Sequence, residues 1–88
     1  MTINDPIPEN ALLVDLRDKE DYHAGHLPGA VNVSLPELME SADRNRLILL
    51  YCYRGIRSLK AAMALKRAGY TNVHSLGGVN KYRGKLTE

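Results

Sequence analysis

Eighty-eight residues, 44% hydrophobic and 25% charged, suffice for one small globular domain (1–88) and are too apolar for a disordered chain. The single cysteine, Cys52, excludes an intramolecular disulfide and a four-cysteine zinc site, and the absence of Phe and Trp dictates an aliphatic core. The net charge of +2 hides a division: residues 1–51 carry −5 and residues 52–88 carry +7, so the sign changes at the cysteine.

In chain order, residues 1–10 contain Pro6 and Pro8 and read as an extended arm. The apolar run Ala11–Val14 predicts a buried strand ending at Asp15. Asp18 is a candidate cap for a short helix through Tyr22 and Ala24, with Asp21 at its third position and Gly25 as its stop. Ala30–Val33 is a weaker strand signal. Pro36 suits the first turn of a second short helix, Pro36–Met39, with Ser34 as its capping candidate.

A second apolar run, Leu47–Tyr51, predicts the strongest strand. Ser58 opens the strongest helix, to Ala68, with Lys66 and Arg67 in its last turn and Gly69 just beyond. Only Lys60, Lys66 and Arg67 are charged in it, so most of its surface is expected to be covered, with Leu59, Ala62 and Met63 as packing residues. Asn72–Ser75 is the last strand candidate. Strands alternating with helices predict an α/β domain with a small parallel sheet flanked by helices on both faces.

Partner classes narrow quickly. No helix-turn-helix, zinc-finger or RNP-type pattern supports nucleic-acid binding, and no apolar run approaches a membrane span. The N-terminus lacks the regions of a signal peptide, which points to a cytoplasmic setting where a lone thiol stays reduced. His23 and His26 lie near Asp18, Glu20 and Asp21, but Gly25 and Pro28 interrupt the helix that would align them, so no metal is expected.

Chemistry concentrates in Cys52-Tyr53-Arg54-Gly55-Ile56-Arg57-Ser58, between the strongest strand and the strongest helix. Such loops lie at the carboxyl ends of parallel strands, where ligands bind. A helix N-terminus offers unpaired N–H groups and a positive dipole end; a curled loop before it makes an anion nest, and Gly55 permits the curl. Cys52 there should have a depressed pKa and act as a nucleophile. A lone cysteine ending a buried strand is otherwise a small core residue. Two arginines and a glycine within five residues argue for the nucleophile.

Cys-x-x-Gly-x-Arg-Ser after an apolar strand resembles the active-site loop of rhodanese-type sulfurtransferases. So do Val14-Asp15-Leu16-Arg17, then Tyr22 with Gly25-His26-Leu27-Pro28-Gly29-Ala30 and Asn32, then Gly69-Tyr70-Thr71-Asn72-Val73 followed by Leu76-Gly77-Gly78-Val79. The resemblance spans about residues 11–83 and is nearest to short single-domain rhodaneses of the phage-shock kind. Two departures stand out: Leu76 runs directly into Gly77, and Tyr82 stands where the family usually has tryptophan.

The resemblance implies two-step sulfur transfer without a cofactor. Cys52 takes sulfur from thiosulfate or another sulfane donor, and an acceptor (cyanide, glutathione or a thioredoxin-like thiol) removes it. It assigns Arg54 and Arg57 to the anionic donor, Tyr53, Gly55, Ile56 and Ser58 to the substrate cradle, and Asp15 and Arg17 to support. With no second cysteine in the chain, the acceptor must come from outside. A non-turnover sulfur carrier or redox-sensing module is the alternative, as a monomer or weak dimer. A cysteine phosphatase would need arginine six positions after Cys52, where Ser58 stands.

Other conspicuous residues have structural readings. Asp15 and Arg17 suit an ion pair. His26 is expected to hydrogen-bond backbone around the Pro28-Gly29 turn, and Gly77-Gly78 to let backbone approach the Cys52 loop. Tyr51, Tyr53 and Tyr70 either line the site or fill the core, with Tyr53 the better site candidate. His74 has no evident partner.

Overall fold

The computed structural model describes residues 1–88. Four strands, β1 (Leu12–Asp15), β2 (Val31–Asn32), β3 (Ile48–Cys52) and β4 (Val73–Gly78), form one parallel sheet in the order β2-β1-β3-β4. Helices α1 (Lys19–Ala24), α2 (Leu35–Ser41) and α3 (Ile56–Arg67) connect them in turn, and a 3₁₀ turn at Val79–Lys81 follows β4.

All five residues of β3 are buried, and its side chains alternate between two cores. Ile48, Leu50 and Cys52 join Val14 of β1, Leu38 of α2 and Ala61, Ala62 and Leu65 of α3 on one face. Leu49 and Tyr51 join Ile3, Leu13, Leu27, Ala30, Leu76 and Val79 on the other, with Tyr22 of α1 packed against them. The continuous apolar run is thus a strand between two covered faces, the arrangement that parallel sheets require.

Several elements differ in extent from their sequence signals. The amino-terminal arm is not simply extended. It turns at Thr2–Asp5, where Asp5 N donates to Thr2 O and Thr2 N to Asp5 Oδ2, and it buries Ile3 in the second core. Asn4 fastens it by donating to Lys81 O and accepting from Arg83 N. Ser34 caps α2 as expected, in a capping box with Glu37. Asp18 precedes α1 without a side-chain cap bond; its carboxylate lies instead 3.8 Å from Arg57 Nη1.

β4 continues three residues past Ser75, because Leu76 is an extra residue in the ladder. Leu50 pairs with Ser75 and Tyr51 with Gly77, so the strand resumes after the bulge. α3 begins at Ile56 rather than Ser58, and Gly55 occupies its cap position at φ +99°. The helix is also less covered than its composition implied. Ser58, Ala61, Ala62 and Leu65 face the sheet, whereas Leu59 and Met63 are exposed. A helix lying on one sheet face buries a single stripe, and small residues fill it here.

Candidate active site

The site arises where β3 ends and α3 begins, three residues apart. Gly55 makes the reversal between them in the left-handed region. The reversal turns the first N–H groups of α3 back toward the end of β3: Gly55 N donates to Cys52 Sγ at 3.1 Å and Ser58 N at 3.4 Å. The Ser58 hydroxyl, fully buried, lies 3.6 Å from the same sulfur and 2.8 Å from Ser75 Oγ on β4. With the thiol protonated, Cys52 donates to Ser58 Oγ; with a thiolate, the Ser58 hydroxyl becomes the donor and Ser75 can donate to it.

Cys52 is only 5% exposed. Burial pushes its thiol up. Donors from Ser58 N, the Ser58 hydroxyl, Gly55 N and Arg57 N act oppositely and hold it below the ordinary thiol value. A buried sulfur that would otherwise be inert therefore becomes an anion at lower pH.

The Gly77-Gly78 pair does what the sequence suggested. A Cβ on Gly78 would collide with Tyr53 O and lie 2.7 Å from the Arg54 carbonyl carbon, although Gly78 has an ordinary backbone conformation. Asn80 N, in the 3₁₀ turn just after this pair, donates to Tyr53 O at 3.1 Å, so the end of β4 and the turn that follows it hold the loop backbone directly.

Above the sulfur lies an open hollow of about 470 Å³. Cys52, Tyr53, Arg54, Ile56 and Arg57 line it, as do Arg17, Asp18, Asp21 and Lys60. Gly55 and Ser58 do not line it; they shape its floor through the bonds just described. Arg57 is partly committed, because its Nη1 donates to Leu16 O at 2.8 Å and straps α3 to the end of β1. Lys60 was missed from sequence, yet it follows Arg57 by three residues and so shares its side of the helix. Asp18 and Asp21, read as helix-start residues, also line the hollow, and no local signal distinguishes the two roles.

Asp15 is fully buried behind the hollow. Arg17 grips it through two nitrogens, with the shortest contact at 2.8 Å, and also donates to Gly25 O. The Tyr51 hydroxyl donates to Asp15 Oδ2 at 2.8 Å and accepts from Leu27 N. Asn32 donates to the carbonyls of Asp15 and Arg17. The bond to Asp15 raises the Arg17 pKa, and burial foremost raises that of Tyr51. Tyr51 and Tyr70 are core residues, and Tyr53 is the exposed tyrosine of the loop. Arg17 is thus both a wall of the hollow and half of an ion pair that fixes the ends of β1 and β3.

His26 departs from expectation. Its Nδ1 contacts Tyr22 O at 2.8 Å and its ring stacks on Tyr22, while the Tyr22 hydroxyl bridges the Pro28-Gly29 turn by donating to Ala30 O. The tyrosine is long enough to reach across that turn from α1, so the histidine is not needed there. His23 meets Tyr22 edge-on.

A family model described as a rhodanese-like domain matches residues 3–85. The chain belongs to the rhodanese-like family. Among curated proteins, this rhodanese-like domain is 40% identical over 73 residues to the thiosulfate sulfurtransferase GlpE of Pseudomonas entomophila, covering 80% of this chain and 67% of that protein. It is 41% identical over 68 residues to a tRNA sulfurtransferase of Pyrobaculum aerophilum, covering 74% of this chain but only 14% of that protein. Among solved structures, a rhodanese with anions from E. coli superposes with a TM-score of 0.76 at 28% identity, over 89% of this chain and 98% of that one. No helix of the domain is long and apolar enough to cross a membrane.

Proposed function

We propose that this rhodanese-like domain is a thiosulfate sulfurtransferase working through a Cys52 persulfide. The Cys52 thiolate attacks the outer sulfur of thiosulfate; a Cys52–sulfur bond forms, the donor's sulfur–sulfur bond breaks, and sulfite leaves with that bond's electron pair. The loaded sulfur projects into the hollow. Cyanide or a thiolate, such as glutathione or a thioredoxin-like protein, then attacks it and leaves as thiocyanate or a persulfide, restoring the Cys52 thiolate.

The observation that carries this reading is the pair of backbone donors aimed at Cys52 Sγ from Gly55 N and Ser58 N, with the Ser58 hydroxyl 3.6 Å away and placed to donate once the thiol is ionised. They stabilise the anion both as nucleophile and as leaving group. Arg54, with the guanidinium donors of Arg57 not spent on Leu16, holds the anionic donor, each contact contributing on the order of 1.5–3 kcal/mol. Tyr53 and Ile56 form the rim, and Asp15 with Arg17 positions the strand ends. A phosphate would need a larger clasp than this loop offers, so phosphatase activity is expected to be negligible.

The test measures thiocyanate formation from thiosulfate and cyanide, with Cys52→Ser as control, alongside intact mass after thiosulfate treatment. Turnover lost in the variant and an adduct of about 32 Da, one sulfur atom, support the reading; equal rates from both proteins overturn it. A second reading, a carrier that discharges only to a protein thiol, is favoured by the openness of the hollow and by the lack of a second cysteine. A stable adduct that cyanide does not remove would establish it instead.

A further inference from the structure

We infer that the outer stripe of α3 is a docking surface for a protein acceptor whose thiol lies in apolar surface edged by carboxylates. The inference rests on the persulfide reading above and names the partner of that same site.

Five of the eight large apolar side chains exposed on this domain lie together: Met1, Tyr53, Ile56, Leu59 and Met63. Ile56, Leu59 and Met63 recur at helical spacing and are 63%, 56% and 46% exposed. Met1 borders the same shallow surface as Ile56 and Leu59, and Tyr53 and Ile56 also line the hollow over Cys52. Tyr53 and Ile56 therefore connect the hollow over Cys52 to the exposed apolar side chains of α3, with Met63 one turn beyond Leu59. An apolar patch of this kind, set among polar residues, marks a contact site.

Charge decides what covers it. From Cys52 to Ala68 there are five cations, Arg54, Arg57, Lys60, Lys66 and Arg67, and no carboxylate; Asp18 and Asp21 at the hollow offset part of the charge beside Arg57, so the cationic excess lies along the helix at Lys60, Lys66 and Arg67. A second copy docked face to face would bring two such cationic fields together and bury both Cys52 residues against each other. Nucleic acid would meet the cations but would leave Ile56, Leu59 and Met63 without suitable contacts, since only Tyr53 could stack on a base. A protein surface with an apolar centre and an acidic margin satisfies both features. Its thiolate would take the outer sulfur: the new sulfur–sulfur bond forms on the acceptor, the Cys52–sulfur bond breaks, and Cys52 departs as thiolate.

The experiment loads the domain with thiosulfate and checks the adduct by mass, so that failure of the persulfide itself is seen first. Loaded domain is then mixed with two ten-residue peptides. Each has one cysteine between leucines; one carries four glutamates and the other four lysines. Cyanide serves as an acceptor that needs no docking. The glutamate peptide is expected to discharge the sulfur at least about tenfold faster per thiolate, as for complementary charge around an apolar contact. The double variant Leu59→Ser/Met63→Ser, altered only at exposed positions, is expected to lose most of that rate while cyanide turnover stays within about twofold, because cyanide makes no surface contact. Equal rates with the two peptides would overturn the inference. So would unchanged peptide discharge in the variant, a dimer in sedimentation velocity that the variant abolishes, or suppression of glutamate-peptide discharge by added tRNA.

Discussion

Gly78→Ala tests how closely β4 controls the reactive loop. Gly78 sits at φ −115° and ψ 143°, which alanine adopts freely, so backbone strain is not the issue. The issue is space. The new methyl would collide with Tyr53 O and lie 2.5 Å from Asn80 Oδ1 and 2.7 Å from the Arg54 carbonyl carbon. Asn80 can swing aside; the loop backbone cannot without moving Gly55 and the N–H groups aimed at Cys52. Restoring ordinary contact with the Tyr53 oxygen requires a shift of roughly 1 Å. Overpacking of this kind costs about 1–3 kcal/mol of stability, and a displacement near 1 Å at a reacting group costs about a hundredfold in rate. Gly77→Ala is the natural comparison. Its Cβ meets nothing within 4 Å, but its φ of +95° is unfavourable for alanine, by about 1–2 kcal/mol. Thiocyanate formation and urea unfolding of both variants separate the effects: Gly78→Ala should lose far more kcat/KM than Gly77→Ala at a similar loss of stability. Wild-type kcat/KM in Gly78→Ala would refute the idea that this contact sets the loop.

Ser58→Ala removes one donor from the sulfur anion, and a hydrogen bond to a charged group contributes about 1.5–3 kcal/mol, so alkylation of Cys52 by iodoacetamide at neutral pH should slow by about tenfold or more. Asp15→Asn strands the Arg17 guanidinium and weakens the Tyr51 contact, and should lower stability by about 3–5 kcal/mol in urea unfolding. Because Cys52 is held below the ordinary thiol range, its ionisation contributes stability that is fully present above the unfolded value of about 8.5 and lost as pH falls through the folded value. The stability difference between wild type and Cys52→Ser should therefore widen in favour of wild type as pH rises from 6 to 9.

The strand runs were legible because burial on both faces leaves a continuous apolar signature in β1 and β3. The loop was legible because its residue types are scarce in ordinary turns. What escaped depends on three-dimensional neighbours. Ser58 was placed in the cradle from the sequence, but as the residue that opens the helix; the helix begins earlier, at Ile56 after Gly55, and the Ser58 hydroxyl turns inward because it has Cys52 and Ser75 as partners. Leu59 and Met63 looked like core because apolar spacing does not say which stripe meets the sheet; Ala61 and Ala62 take that place. The bulge at Leu76 leaves no mark in the sequence, since it follows from the pairing of Tyr51 with Gly77. Arg17 was read as an ion-pair residue and is also a wall of the hollow, a double use that only packing reveals.

The fastening of the amino-terminal turn has a practical side. Asn4 anchors the chain to Lys81 and Arg83, and Met1 and Thr2 consequently emerge beside Arg54, Ile56 and Leu59. Any polypeptide joined ahead of Met1 starts at the margin of the reactive loop. An affinity tag or reporter fused there would shade the approach to Cys52, whereas the carboxyl end, where Thr87 bridges to His26, offers an attachment point on another strap of the molecule.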